Sequence, residues 1–230
     1  MMNMNLNLKI SSGKQRRSVQ YKPLLWLLVI PLLNIVYELL NHSGDNVHSL
    51  VTSLDVSTPF IPVFIIPYVL WYPFLLGVLV LILRKNVQKY YQTVLALCMG
   101  LILCDLIYIC FQTMVPRPEV APNGFLHQLV SLVYASDKPF NCFPSIHVLT
   151  STLMIAGSSI IRWKIRIPIV VVAWSIIAST LFIKQHVIAD VIAGMLAAKL
   201  VFELSGRLLP FLQNRMATRN AKGGRYENHK

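Results

Sequence analysis

Long apolar stretches, separated by short polar and mostly basic segments, set the pattern of this chain. Six runs stand out, at about 24–40, 60–83, 91–115, 145–161, 167–183 and 187–209. A helix of about 20 apolar residues crosses the roughly 30 Å hydrocarbon core of a bilayer. The runs are apolar on every face, unlike the one-sided helices of a soluble bundle. The pattern therefore predicts an all-α, polytopic membrane protein, a helical bundle with six transmembrane helices. Pro62, Pro67 and Pro73 predict a kink in the second run, which membrane helices tolerate. The fourth and fifth runs are short, with only Arg162-Trp163-Lys164-Ile165-Arg166 between them. Two further segments have helical spacing without the length to span: Val47, Leu50, Val51, Leu54, and Leu126, Leu129, Val130, Val133. Each predicts a short helix at the membrane surface.

These elements divide the chain into a basic cytoplasmic tail over residues 1–23, a six-span domain over 24–212 and a second basic tail over 213–230. The last is polar and is expected to be disordered. The first apolar run lacks a small-residue cleavage site, so no cleavable signal peptide is expected.

Composition agrees with lipid surroundings and adds a direction. Of the 230 residues, 55% are hydrophobic and 13% charged, yet the net charge is +12. Soluble domains carry about 25% charged residues. No basic stripe is interleaved with aromatics, so no nucleic-acid partner is expected. The alternate segments between runs differ sharply in charge. Seventeen lysines and arginines fall in the 84–89 and 162–166 turns and in the two tails, with Arg207 at the end of the sixth run counted with the second; only Arg117, Lys138 and Lys184 fall in the other segments. By the positive-inside rule both termini are cytoplasmic, and the poorly charged segments face outward across a cell membrane. Oligomeric state leaves no signature here. Of the four cysteines, none forms a CxxC pair, which argues against a metal cluster or disulfide framework; Cys110 and Cys142 are the pair a bridge could join.

The candidate chemistry gathers on the outward side. Arg117 follows the third run, Ser145 and His147 open the fourth, and Lys184, His186 and Asp190 straddle the start of the sixth. Ionisable groups at the edge of a span default to function. His186 and Asp190 are four apart and share a helix face, so the carboxylate can fix one imidazole nitrogen and leave the other free. Pro144-Ser145 precedes a helix whose first-turn amides suit an anion. Arg117 and Lys184 add charge for phosphate oxygens. This set suits phosphoryl transfer through a phosphohistidine, with the second histidine protonating the leaving oxygen. His147, His186 and Asp190 are also the right donors for zinc. A non-enzymatic transporter or scaffold is the further alternative, since Asp105 and the Lys199–Glu203 pair are charges within the runs.

These segments resemble the type 2 phosphatidic acid phosphatase superfamily, whose motifs are K-x6-R-P, P-S-G-H and S-R-x5-H-x3-D. Here the second reads Pro144-Ser145-Ile146-His147, the third Ser179-Thr180-x5-His186-x3-Asp190, and the first keeps Arg117-Pro118. The resemblance runs from about Cys110 to Gly194. It implies that His186 is the nucleophile, Asp190 its orienting partner and His147 the general acid. Arg117 and Ser145 would bind phosphate, no metal or other cofactor would be needed, and the substrate would be a phosphate or pyrophosphate of a membrane lipid at the outer leaflet. Two cations of the family pattern are replaced, by Cys110 and Thr180, and Lys184 is the substitute at hand. Ile146 in place of glycine is similar to the branch containing inositol phosphorylceramide synthases, which transfer phospho-headgroups to an alcohol.

Overall fold

The computed structural model describes residues 23, 25, 28–42, 44, 46–121 and 124–227, with side chains as far as Arg215 apart from that of residue 34. The tail over residues 1–22 lies outside them. The described residues form nine α-helices: α1 (Val29–Leu40), α2 (Ser53–Ser57), α3 (Ile65–Val69), α4 (Trp71–Lys85), α5 (Val87–Cys110), α6 (Phe125–Ser136), α7 (Ile146–Gly157), α8 (Trp163–Phe182) and α9 (Ile188–Glu227). No strand forms among them; two isolated bridges join His48 to Thr113 and Met114 to Phe140.

The all-helical architecture is as the apolar pattern predicts; helix length and composition alone support three of the six expected spans. Among the described residues three stretches are long and apolar enough to cross a membrane: Pro62–Lys85, Val87–Cys110 and Trp163–Phe182. Val29–Leu40 and Ile146–Ile160 are apolar but shorter. Helix α9 is long but carries Asp190, Lys199 and Glu203 in its first half. Its backbone stays helical to Glu227, into the tail predicted to lack structure.

Local chemistry explains where the elements break. The second run divides at Leu70, between α3 and α4. Pro73 has no N–H to give to the carbonyl of Val69, so the helix cannot run through. Helix α5 ends at Cys110, earlier than its apolar run, because Phe111 turns extended (φ −148°) and the next residues enter the bridges. The surface helix predicted around Val47–Leu54 shrinks to α2. There Thr52 and Asp55 cap each other across the first turn, so the helix starts only at Ser53. The second predicted surface helix forms as α6. All four cysteines are free.

Helix α7 is the centre of the bundle and packs on α4, α5, α8 and α9. In lipid the hydrophobic effect does little to join helices, and close approach at small residues does more. A Cβ at Gly100 of α5 would lie 2.7 Å from Leu149 Cδ2 of α7, and one at Gly194 of α9 would lie 2.9 Å from the Ser145 carbonyl oxygen. Gly194 thus lets α9 touch backbone at the start of α7. Gly194→Val is expected to push these helices apart and cost about 1–3 kcal/mol, read as a lower thermal midpoint in detergent. Gly77→Ala, where a Cβ meets nothing, is the matching control and should leave the midpoint unchanged or slightly higher.

Exposed aliphatic and aromatic side chains such as Leu106, Trp174 and Leu196 ring the bundle. Monomers in water rarely show such a continuous apolar surface. The basic turns and the candidate site lie at opposite ends. Lys89, beside the α4–α5 turn, sits over the Phe202 ring of α9 at 4.5 Å. At the other end the Tyr108 hydroxyl of α5 donates to the Pro144 carbonyl at 2.6 Å, just before α7.

Candidate active site

The start of α9 and the start of α7 build the centre. His186 lies in the short turn between α8 and α9, where the backbone N–H groups of Gln185 and His186 both donate to the Thr180 carbonyl at 3.0 Å. That turn needs a left-handed residue, and Lys184 supplies it at φ 54°. Asp190, one turn into the sequence after His186, is fully buried. Its Oδ2 lies 3.3 Å from His186 Nδ1 and accepts from the Val187 N–H at 3.0 Å. The first distance is long for a hydrogen bond, as in many catalytic pairs without ligand. The carboxylate favours the tautomer with the proton on Nδ1, which leaves the Nε2 lone pair for chemistry.

His147 is the second residue of α7. Its ring stacks on Tyr68 at 4.5 Å and lies against Trp71 at 4.2 Å. Its centroid is 6.1 Å from that of His186. Trp71 is itself held by its Nε1–H, which donates to Thr150 Oγ1 at 2.8 Å. Ser145 caps α7: its Oγ accepts from the Val148 N–H at 3.4 Å, and its own N–H donates to the Asp190 carbonyl at 3.2 Å. The cap therefore ties the two histidine-bearing segments together. The first-turn amides of Ile146 and His147 have no acceptor within the helix and suit an anion.

Both histidines line one cavity of about 320 Å³, walled by α1, α3, α4 and α6. His186 also lines a second, mostly apolar cavity of about 350 Å³ with Arg117, Lys184 and Asp55. His186 is thus the wall between two chambers, and the two predicted phosphate cations stand on the far side of it from His147.

Those cations are already engaged. Arg117 donates through Nη1 to the carbonyls of Tyr134 and Asp137, and through Nη2 to the Lys138 carbonyl and Gln185 Oε1. Its guanidinium lies over the Tyr134 ring at 4.6 Å. It therefore clasps the end of α6 to the residue before His186. Lys184 Nζ donates to the carbonyls of Asp55 and Thr58. Neither points a free fork at the histidines: the Arg117 Nη groups and the Lys184 ammonium are bonded to protein oxygens, and Arg117 Nε is buried without a partner. Arg117→Lys removes the fork while keeping the charge. It is expected to cost at least about 2 kcal/mol, given about 1.5–3 kcal/mol per hydrogen bond to a charged group, read as a fall in thermal midpoint.

Helix α2 docks beside this turn. Asp55 Oδ1 accepts from the Ile188 N–H at 2.8 Å and Oδ2 from the Thr52 N–H at 2.8 Å. Burial pushes its carboxyl up, but the bonds from Thr52 and Ile188 and the nearby Lys184 charge outweigh that and hold it below the usual range. Burial pushes the Cys142 thiol up, well above the ordinary thiol range, which keeps it protonated and unreactive. Thr180 is buried, and its hydroxyl bonds the Ile177 carbonyl at 2.8 Å; it does not face the cavity in place of the family's arginine. Cys110 is exposed at the end of α5. Among the described residues no group of three His, Cys, Asp or Glu is placed to hold a metal ion.

Several residues around the histidines carry no sequence signal. Tyr68 and Trp71 reach His147 from a segment that reads only as a kinked span. Gln185 is 2% exposed and holds Arg117, yet a lone glutamine beside a histidine stands out in no pattern. Asn141 is left-handed (φ 55°), and the Asn-Cys-Phe-Pro context reads as an ordinary turn.

No curated protein and no solved structure matches the chain. A family model described as the PAP2 superfamily matches residues 89–210. The match takes in α5 to α9 up to Pro210, and with it Arg117, Ser145, His147, His186 and Asp190. Members of this superfamily are generally phosphoric ester hydrolases or related phosphotransferases. A match over 122 of 230 residues, on a helical bundle that brings both histidines to one cavity, shows that the chain belongs to the PAP2 superfamily.

Proposed function

We propose that the chain is a membrane-bound phosphoric ester hydrolase that acts on a lipid phosphate or pyrophosphate through a phosphohistidine. The observation that carries this reading is the shared cavity of His147 and His186, with Asp190 on the far nitrogen of His186. His186 Nε2 attacks phosphorus, and the bond to the lipid oxygen breaks. His147 gives that oxygen its proton. Water, deprotonated by His147, then releases phosphate from His186. Asp190 stabilises the imidazolium character that builds as the bond forms. Ser145 and the amides of Ile146 and His147 hold the equatorial oxygens. Arg117 acts one step back, through Gln185 and by its charge, and Lys184 likewise by charge.

In this reading the bundle crosses a cell membrane six times. The short helices α1 and α7 and the charged α9 join the three long apolar stretches, and α6 lies at the outer interface. The basic turns at one end and the histidines at the other support cytoplasmic termini and an outward site.

A second reading is transfer of a phospho-headgroup to a lipid or glycan alcohol, as in the inositol phosphorylceramide synthase-like branch. Ile146 in place of glycine, and the missing cations at Cys110 and Thr180, favour it. One experiment tests both. The purified chain is given phosphatidic acid, phosphatidylglycerol phosphate, a polyprenyl pyrophosphate and phosphodiester lipids, with and without an acceptor alcohol, beside His186→Ala. Phosphate release that His186→Ala abolishes supports hydrolysis; a new phospholipid that appears only with the alcohol supports transfer. No turnover of any of them would sink both.

A further inference from the structure

The chamber over the histidines has a character that a phosphate group alone does not account for. Its walls include Tyr37, Tyr68, Trp71, Tyr72 and Tyr108, its ionisable side chains besides the histidines include Glu38 and Asp137, and neither lysine nor arginine lines it. Two carboxylates facing a site for a dianion would repel the ligand unless part of that ligand is cationic.

Asp137 is fixed rather than neutralised. Its Oδ1 accepts from the Tyr37 hydroxyl at 2.9 Å and from Asn41 Nδ2 at 3.0 Å, both uncharged donors. Among the described residues no lysine or arginine forms an ion pair with the carboxylate of Asp137 or Glu38; the nearby Arg117 guanidinium is bonded to the Asp137 carbonyl and not to its side chain. Ring faces carry negative potential, and ring faces beside carboxylates are the surroundings an ammonium group seeks. Two buried donors complete the picture. Asn141, 2% exposed, leaves Nδ2 without an acceptor, and Tyr68, 6% exposed, leaves its hydroxyl without one. Both line the chamber. Unmet buried donors point to oxygens that a ligand supplies.

We propose that the substrate is a phosphate ester whose alcohol carries an ammonium group. The phosphate faces His186 and the donors of Tyr68 and Asn141, and the ammonium lies in the aromatic part of the chamber against Asp137 and Glu38. The assignment rests on the reading that phosphate sits at His186, and a lipid diester of this class is one donor compatible with the transfer reading. The same chemistry occurs in a lipid headgroup and in a free amino-alcohol phosphate.

The test uses the full chain in lipid nanodiscs. Calorimetry with phosphocholine, phosphoethanolamine and glycerol 3-phosphate reads the preference for an ammonium group. The two amino-alcohol esters are expected to bind at least about tenfold more tightly than glycerol phosphate. Glu38→Gln and Asp137→Asn are each expected to shrink that preference to about threefold or less. Asp137→Asn also loosens a tie to α1, so Tyr72→Leu is the second variant. Tyr72 is 63% exposed and tolerates truncation, and its loss should also lower the preference. Equal binding of all three esters by the unaltered chain overturns the proposal, as does a preference that survives all three variants. Vesicles of phosphatidylethanolamine or phosphatidylcholine, compared with phosphatidic acid, separate the sources: consumption of the amine lipids supports the lipid ester, and binding of the soluble esters alone supports the free ester. The two readings also fail separately. Phosphatidic acid turnover without amine preference sinks this inference and keeps the enzyme; amine preference without turnover of any ester does the reverse.

Discussion

Replacing His186 with asparagine is expected to lower phosphate-ester turnover by about 10⁴-fold or more, with little change in KM. Asparagine keeps polarity and approximate size at the α8–α9 turn but offers no lone pair where Nε2 stood. The Thr180 carbonyl holds this turn through backbone N–H groups, so the backbone survives the change. The residual rate would come from the Ser145 cap and the α7 amides, which still bind and polarise the phosphate. Rapid quenching with ³²P-labelled substrate reads the step directly. The unaltered chain should retain label that acid removes and base does not, the signature of a phosphoramidate on histidine. The variant should retain none. Activity above about a tenth of the original would pass the nucleophile's role to another group.

His147→Asn should fail in a different way. A general acid contributes about 10²–10⁴-fold, and its share depends on how badly the leaving oxygen needs a proton. With an alkyl phosphate ester the variant should lose that full range in kcat. With nitrophenyl phosphate, whose leaving group departs as a stable anion, the first step should lose less than about tenfold. An equal loss on both esters would make His147 a structural residue, held by Tyr68 and Trp71 for packing alone. The rings of Tyr68 and Trp71 lie within 4.5 Å of the imidazole centroid, so a thermal midpoint must accompany the kinetics.

What could be read in the sequence follows from distance along the chain. His186 and Asp190 are legible because helical periodicity alone puts residues four apart together, and the structure finds them 3.3 Å apart. Ser145 is legible because a serine after proline and before an apolar run is a helix cap, and it caps α7. The apolar runs gave the helices but not their number of crossings, since hydropathy cannot place the breaks at Leu70 and Phe111. Those depend on Pro73 and on the bridges that residues 113 and 114 make. The acidic and aromatic wall of the chamber was not legible at all. Tyr37 and Asp137 meet across 100 residues, and neither has a local pattern. Arg117 is the instructive case: its motif is local, but where its donors go depends on how α6 closes over the turn at Gln185.

That clasp links the end of α6 to the residue before His186. The carbonyls at the end of α6, the Arg117 guanidinium, the Gln185 amide and the next residue, His186, form a rigid train. Helix α6 offers Phe125 and Leu132 outward, 75% and 64% exposed. A helix lying at the membrane surface rises, sinks and tilts with its lipids. Under the proposed function, with α6 at the interface and His186 as nucleophile, such movement would be passed to the reacting group, and turnover is expected to vary with the thickness of the bilayer.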